Sequence, residues 1–159
     1  YSYYEKTETE MPHLFKKVSE SETICNLKNE NESKVYIVNG QKIRQCLKSY
    51  ENAIVYIWRP RCTSEICYPL SIIQKKCNER GIPLFIIAEY YDGELMNESY
   101  MIEKPIFGID VNYYKTGLTA KYKKLFLKDL IGNEETVNGH FLKFNYGNFE
   151  SGFDKLNSI

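Results

Sequence analysis

The chain has 159 residues, 43% hydrophobic and 14% aromatic, with 21 basic and 21 acidic side chains that cancel to zero net charge. That length suits one domain with its own core, and the balanced charge removes any whole-chain electrostatic case for a nucleic acid or an anionic membrane as partner. No apolar run in the sequence is long enough to span a bilayer.

Tyr1 to Glu10 is polar and acidic with no apolar period, which predicts a frayed arm or tether. Pro12 to Val18 is expected as a short helix on Leu14, Phe15 and Val18, and Ser19 to Ser33 reads as loop, with Ile24, Cys25 and Leu27 as a buried anchor. Residues 1–33 are thus an N-terminal arm and loop, and residues 34–159 the folded domain. Lys34 to Val38 is a strand of β-branched and aromatic residues, ended by Asn39-Gly40. Gln41 to Tyr50 places Ile43, Cys46, Leu47 and Tyr50 on one helical face. Ala53 to Trp58 is apolar almost throughout, the pattern of a strand buried on both faces.

Ile66, Leu70, Ile73 and Cys77 are spaced as one face of the next helix, Gly81-Ile-Pro83 stops it, and Leu84 to Ala88 is a second buried strand. Two apolar strands joined by one helix predict a right-handed βαβ crossover, so Lys34 to Glu89 reads βαβαβ. Cys62 falls at the loop-to-helix junction near the carboxyl end of its strand, where open parallel sheets place their chemistry. Asp92 to Met101 is a short helix weakened by Gly93 and Asn97, and Pro105 to Ile109 a short strand. Thr116 to Ile131 shows Leu118, Tyr122, Leu125, Phe126 and Leu130 as an amphipathic helix, with Gly132 as its stop. After a loop, Gly139 to Phe144 and Asn148 to Ser151 form a hairpin around Asn145-Tyr-Gly147, and Phe153 to Asn157 a last helical turn. There is no internal repeat and no second domain.

Trp58-Arg-Pro-Arg-Cys62 after a buried strand resembles the thioredoxin-like superfamily, especially its secreted or membrane-anchored bacterial members, which carry strand, Trp, three residues, then Cys at a helix start. Phe141 to Phe149, ending in Phe153-Asp-Lys-Leu156, is similar to that fold's closing hairpin and final helix. The resemblance covers Lys34 to Leu156 and rests mainly on the order of elements. It implies an α/β fold, a three-layer α/β/α arrangement with a central mixed sheet. It also implies thiol–disulfide exchange through a mixed disulfide, with Cys62 as nucleophile and Cys67 as the only nearby cysteine to resolve it. Trp58 would wall the site, while Arg59, Arg61 and the helix N-terminus would lower the thiol pKa. The implied partner is a protein or peptide thiol or disulfide, with no cofactor, in the periplasm or at the cell-envelope surface. The start at Tyr1, without Met or signal peptide, is expected to follow a removed upstream segment, such as a lipid-tethered one.

The sequence departs from that family in three places. The position three residues after Cys62 is Glu65, so C-x-x-C is absent; the buried carboxylate expected two residues before Trp58 is Tyr56; and the cis-proline before the hairpin strand is Gly139. A cis peptide at a non-proline costs about 3 kcal/mol, so the backbone at Gly139 is expected to differ. On a continuous helix the spacing from Cys62 to Cys67 turns through about 500°, leaving the side chains about 140° apart. They could bond only if Cys62 lies in the loop and the first turn is distorted. Cys67 is more simply a core residue, as is Cys77.

A second registration exists, in which Pro60, Ser64 and Cys67 resemble the peroxiredoxin pattern Pro-x3-Thr/Ser-x2-Cys. It implies Cys67 as a peroxidatic thiol in a first helical turn, with a helper arginine that the sequence does not identify. The bland account makes Pro60 loop and Ser64 a helix N-cap. Five cysteines cannot all pair internally, and Cys25 and Cys46 are either a disulfide of an oxidising compartment or two buried thiols. No C-x2-C indicates zinc, and His13 and His140 stand isolated. Lys121, Lys123, Lys124 and Lys128 read as a solvated face, and Asn31-Glu-Ser33 and Asn97-Glu-Ser99 match the glycan acceptor pattern. Three readings follow: a thiol–disulfide oxidoreductase, a non-catalytic domain binding a protein or peptide, and a peroxide reductase.

Overall fold

The computed structural model of the protein describes residues 4–30, 32 and 34–159. Among them, seven strands form one sheet: β1 (Phe15–Lys17), β2 (Val35–Val38), β3 (Ala53–Trp58), β4 (Leu84–Ala88), β5 (Ile106–Ile109), β6 (Phe141–Asn145) and β7 (Asn148–Phe153). The order is β1-β2-β5-β4-β3-β6-β7. Every residue of β3 and β4 is buried, as their unbroken apolar runs require. β3 pairs in parallel with β4 and antiparallel with β6, so the sheet is mixed and β3 lies where its two halves meet.

Helices flank this sheet: α1 (Tyr4–Glu10), α2 (Gly40–Leu47), α3 (Leu70–Glu79), α4 (Gly93–Met96), α5 (Val111–Tyr114) and α6 (Thr119–Ile131). The protein is of the α/β class. The apolar faces read for α2 and α6 are buried through Ile43, Cys46 and Leu47 and through Tyr122, Phe126 and Leu130. Leu118 and Leu125, expected on the same face of α6, are exposed. Asn39 does more than end a strand, because its side chain caps α2 by accepting the Lys42 N–H at 3.1 Å. Among the described residues, no helix is long and apolar enough to cross a membrane.

The helix expected over Asp92 to Met101 is confined to Gly93–Met96, and the last turn expected over Phe153 to Asn157 is a 3-10 turn at Leu156–Ser158, Phe153 belonging to β7. Three further segments differ from the sequence reading. The described part of the expected arm is α1, anchored by buried Tyr4, whose ring packs on Phe15 at 5.8 Å and Tyr91 at 4.8 Å; residues 1–3 lie outside the described residues. The expected helix at Pro12 to Val18 is instead a 3-10 turn, Pro12–Leu14, followed by β1, which runs parallel to β2 with Phe15 opposite Val35. A short apolar run fits helix or strand equally well, and the open edge of β2 decides it. Most consequentially, α3 begins at Leu70, not near Ile66. Pro69 stands at its N-cap in an extended conformation, ψ 140°, and a proline disfavours the helical region for the residue before it. Residues 62–69 therefore stay irregular, and Ile66 is exposed.

A disulfide joins Cys25 to Cys46, with the Cα atoms 5.2 Å apart, and ties the loop before β2 to α2. The same loop is held by Lys42, whose buried ammonium donates to the Glu20 and Glu22 carbonyls at 2.5 Å each.

Candidate functional site

β3 delivers the chain to the centre of the sheet edge at Trp58, and the loop that follows folds back in two turns. The Cys62 N–H donates to the Arg59 carbonyl at 3.0 Å, and the Cys67 N–H to the Ser64 carbonyl at 3.0 Å. These turns bring the Cα atoms of Cys62 and Cys67 to 6.1 Å, and the two sulfurs are bonded. The awkward spacing is thus met by irregular backbone. Cys67 is half-buried in this loop and is not a core residue. Cys77 is the core cysteine, free and buried, with its thiol pushed up to about 12 by desolvation.

The positive groups divide their work. An Arg59 Nη2 N–H donates to the Cys67 Sγ at 3.3 Å. The Ser64 hydroxyl lies 3.5 Å from the Cys62 Sγ and 3.6 Å from the Cys67 Sγ, bridging both sulfurs. Arg61 is drawn away from them. Its backbone N–H donates to the Tyr90 hydroxyl at 2.7 Å, and its guanidinium meets Asp92 at 2.5 Å and Glu94 at 3.5 Å. Burial works to raise the Asp92 carboxyl, but Arg61 and the amides at the start of α4 outweigh it and hold the carboxyl below its ordinary range. Arg61 therefore anchors the loop.

The expected helix N-terminus is missing from this arrangement. α3 starts three residues after Cys67 and eight after Cys62, and a helix dipole acts within about one turn of its end. The group that can steady a sulfur anion here is Arg59, and the sulfur it reaches is that of Cys67.

A cavity of about 230 Å³ opens beside the disulfide, with Tyr56, Trp58, Tyr68, Tyr100 and Arg59 around it. Trp58, 7% exposed, meets Tyr100 edge-on at 5.5 Å, and Tyr56 packs on Phe141 at 4.7 Å. Tyr56 holds the position where the resemblance to thioredoxin-like proteins implies a carboxylate. Its hydroxyl is pushed up to about 12, mainly by burial, so it stays neutral. Pro60 also lines the cavity, whereas Glu65, which is exposed, and the half-buried Gly139 do not. Among the described residues there is no cis peptide, and Gly139 takes the left-handed conformation, φ +86°. A Cβ there would lie 2.6 Å from the Phe153 carbonyl carbon, so the glycine is required by the close crossing of β7.

His140, isolated in sequence, is paired in space. Its Nδ1 and its backbone N–H both lie 3.0 Å from the Asp154 Oδ1, while its carbonyl accepts the Ile57 N–H of β3 at 2.8 Å. The Asp154 carboxyl is held low, chiefly by the His140 side chain, with the nearby charge of Arg59 adding to it. No sequence spacing signals this pair, because the hairpin brings its members together. Among the described residues, no group of three or more His, Cys, Asp and Glu side chains is placed to hold a metal ion. No family model matches the chain, and no curated protein or solved structure is detectably similar to it.

Proposed function

We propose that the protein is a diverged thioredoxin-like thiol–disulfide oxidoreductase in which Cys62 and Cys67 cycle between disulfide and dithiol. The observation that carries this reading is the Arg59 guanidinium placed 3.3 Å from one sulfur of a disulfide on the rim of the sheet. Support also comes from the order of elements, with the cysteines following the strand that pairs with both β4 and the closing hairpin. Two disulfides suit an oxidising, extracytoplasmic compartment.

A substrate thiolate attacks the Cys62 Sγ, the S–S bond breaks, and its electron pair leaves on the Cys67 Sγ. Arg59 and the Ser64 hydroxyl are placed to stabilise that leaving thiolate, and a thiol of lower pKa leaves faster. A second substrate thiolate attacks its own sulfur in the mixed disulfide and releases the Cys62 thiolate. The substrate dithiol is oxidised by two electrons and the pair reduced by two. In reverse, the Cys62 thiolate attacks a substrate disulfide and Cys67 resolves it. The substrate is a protein or peptide thiol or disulfide.

The test is a glutathione redox titration of the native protein, quenched by alkylation and mapped by mass. Cys62 and Cys67 should convert together while Cys25–Cys46 stays oxidised, and Cys62→Ser should abolish insulin reduction. A native protein that is silent toward insulin and keeps Cys62–Cys67 closed throughout the titration would favour the binding domain instead.

One observation favours a second reading, peroxide reduction at Cys67: an arginine and the Ser64 hydroxyl both contact that sulfur. The Cys67 thiolate would attack a peroxide oxygen, breaking O–O and becoming sulfenic acid, while the other oxygen leaves as hydroxide or alkoxide and takes up a proton. The Cys62 thiol would then close the disulfide and release water, and an external dithiol would reduce it. Cys67 lies outside any helical turn, unlike that pattern. Trapping of sulfenic acid at Cys67 by dilute peroxide in Cys62→Ser separates the two.

A further inference from the structure

Away from the disulfide, one face of α2 carries Gln41, Arg44, Gln45 and, at its C-cap, Lys48. The spacing is i, i+3, i+4 and i+7, one continuous polar stripe. It faces the C-terminal end of α6 across a cleft of about 340 Å³ that Lys128, Asp129 and Gly132 complete. The Arg44 guanidinium lies flat on Gly132, where a Cβ would sit 2.6 Å from its Cζ and 2.7 Å from its Nη2. Arg44 Nε is buried and has no hydrogen-bond partner. Among the described residues, no carboxylate forms an ion pair with Arg44 or Lys48; Lys128 pairs with exposed Glu134 at 3.0 Å, and Asp129 accepts the Tyr114 hydroxyl at 2.9 Å. Three cations thus face one carboxylate that already has a donor.

We propose that this cleft is a binding site for a small oxyanion of the phosphate type, with Arg44 as its principal contact. A half-buried guanidinium with its Nε N–H unpaired and no carboxylate beside it is costly, and its planar fork matches the oxygens of a phosphate. Lys48 and Lys128 supply the remaining charge, and the Gln41 and Gln45 amides supply donors for further oxygens. The weak negative pole at the end of α6 attracts the arginine but leaves its Nε N–H unmatched. The site is independent of the redox reading.

The experiment is a titration of the native, 15N-labelled protein with inorganic phosphate, at ionic strength held constant with chloride. Saturable shifts should appear at the Gly132 amide and the Gln41 and Gln45 side-chain amides, with a dissociation constant on the order of 1 mM. Arg44→Gln should weaken binding by about tenfold or more. Gln45→Glu, at an exposed position, should do the same while leaving Arg44 in place. Glycerol phosphate binding as tightly as phosphate would extend the site to phosphomonoesters, and binding of phosphate alone would confine it to the free ion; either result supports the site. Shifts that fail to saturate, that spread over all surface lysines, or that persist unchanged in both variants would overturn the proposal, as would acetate binding more tightly than phosphate.

Discussion

Arg59→Gln isolates the electrostatic part of the proposed chemistry. At 3.3 Å, the attraction between a guanidinium and a thiolate is about 1 kcal/mol with the dielectric of water and about 5 kcal/mol at an effective value of 20. Arg59 is half-buried, so the lower half of that range applies, in line with the ~1.5–3 kcal/mol of hydrogen bonds to charged groups. The Cys67 thiol should then titrate below the ordinary ~8.5 of cysteine, because the guanidinium favours its anion, and the variant should return it there. The sign for the redox couple follows. Arg59 stabilises the thiolate, a form that only the reduced protein has, so it makes the disulfide more oxidising. Its loss should lower the reduction potential by about 30 mV per unit of pKa, fully expressed only above the raised pKa, at about pH 9. The assay is the pH dependence of iodoacetamide alkylation at Cys67 in a Cys62→Ser background, with and without Arg59. Identical profiles in the two proteins, or a Cys67 thiol that titrates at 8.5 with Arg59 present, would refute the reasoning.

Removing the Cys25–Cys46 bridge with the double variant Cys25→Ala/Cys46→Ala should lower unfolding stability by about 3 kcal/mol in a urea titration, from the loop entropy of a 21-residue separation. Asp154 has its folded pKa depressed, chiefly by the His140 side chain, so its contribution is present above its unfolded pKa of about 3.9 and is lost as pH falls through the folded value. Acid unfolding followed by circular dichroism should therefore be less steep below about pH 4 in Asp154→Asn. Gly139→Ala forces a side chain into φ +86° and against the Phe153 backbone, and should cost about 2–4 kcal/mol in the same urea assay.

What could be read from the sequence was set by the range of the interactions involved. β3 and β4 declare themselves because an unbroken apolar run has few places to go but the middle of a sheet. The apolar period through Ile66, Leu70, Ile73 and Cys77 points to a helix that starts a turn too early. Periodicity counts side chains, whereas Pro69 acts on the backbone of the residue before it. That same restriction frees the loop to close Cys62–Cys67, a bond that a continuous helix would forbid. β1 was illegible because three residues, Phe15–Lys17, become a strand only beside the edge of β2. Arg59 and Arg61 look equivalent as neighbours of Cys62. Only the position of Asp92 and Tyr90, after β4, shows that Arg61 is already engaged.

That engagement bears on whether the pair could cycle at all. Two thiols released from a disulfide in an irregular loop ordinarily drift apart, and a resolving cysteine must remain within reach of its partner. Here reduction would break one tie of several. The Arg61 ion pair with Asp92, the Arg61 N–H to Tyr90, and the turns Cys62-to-Arg59 and Cys67-to-Ser64 do not involve the sulfurs' bond. The Arg59 end is fixed in turn by Trp58, the last buried residue of β3. On the proposed chemistry the loop would keep its shape when the bond opens, the effective concentration of one thiol near the other would stay high, and the mixed disulfide at Cys62 would be resolved by Cys67 before a second substrate arrives. On that proposal, the stabilising charge that the late start of α3 takes away from Cys62 is replaced at Cys67, the sulfur that would leave as an anion.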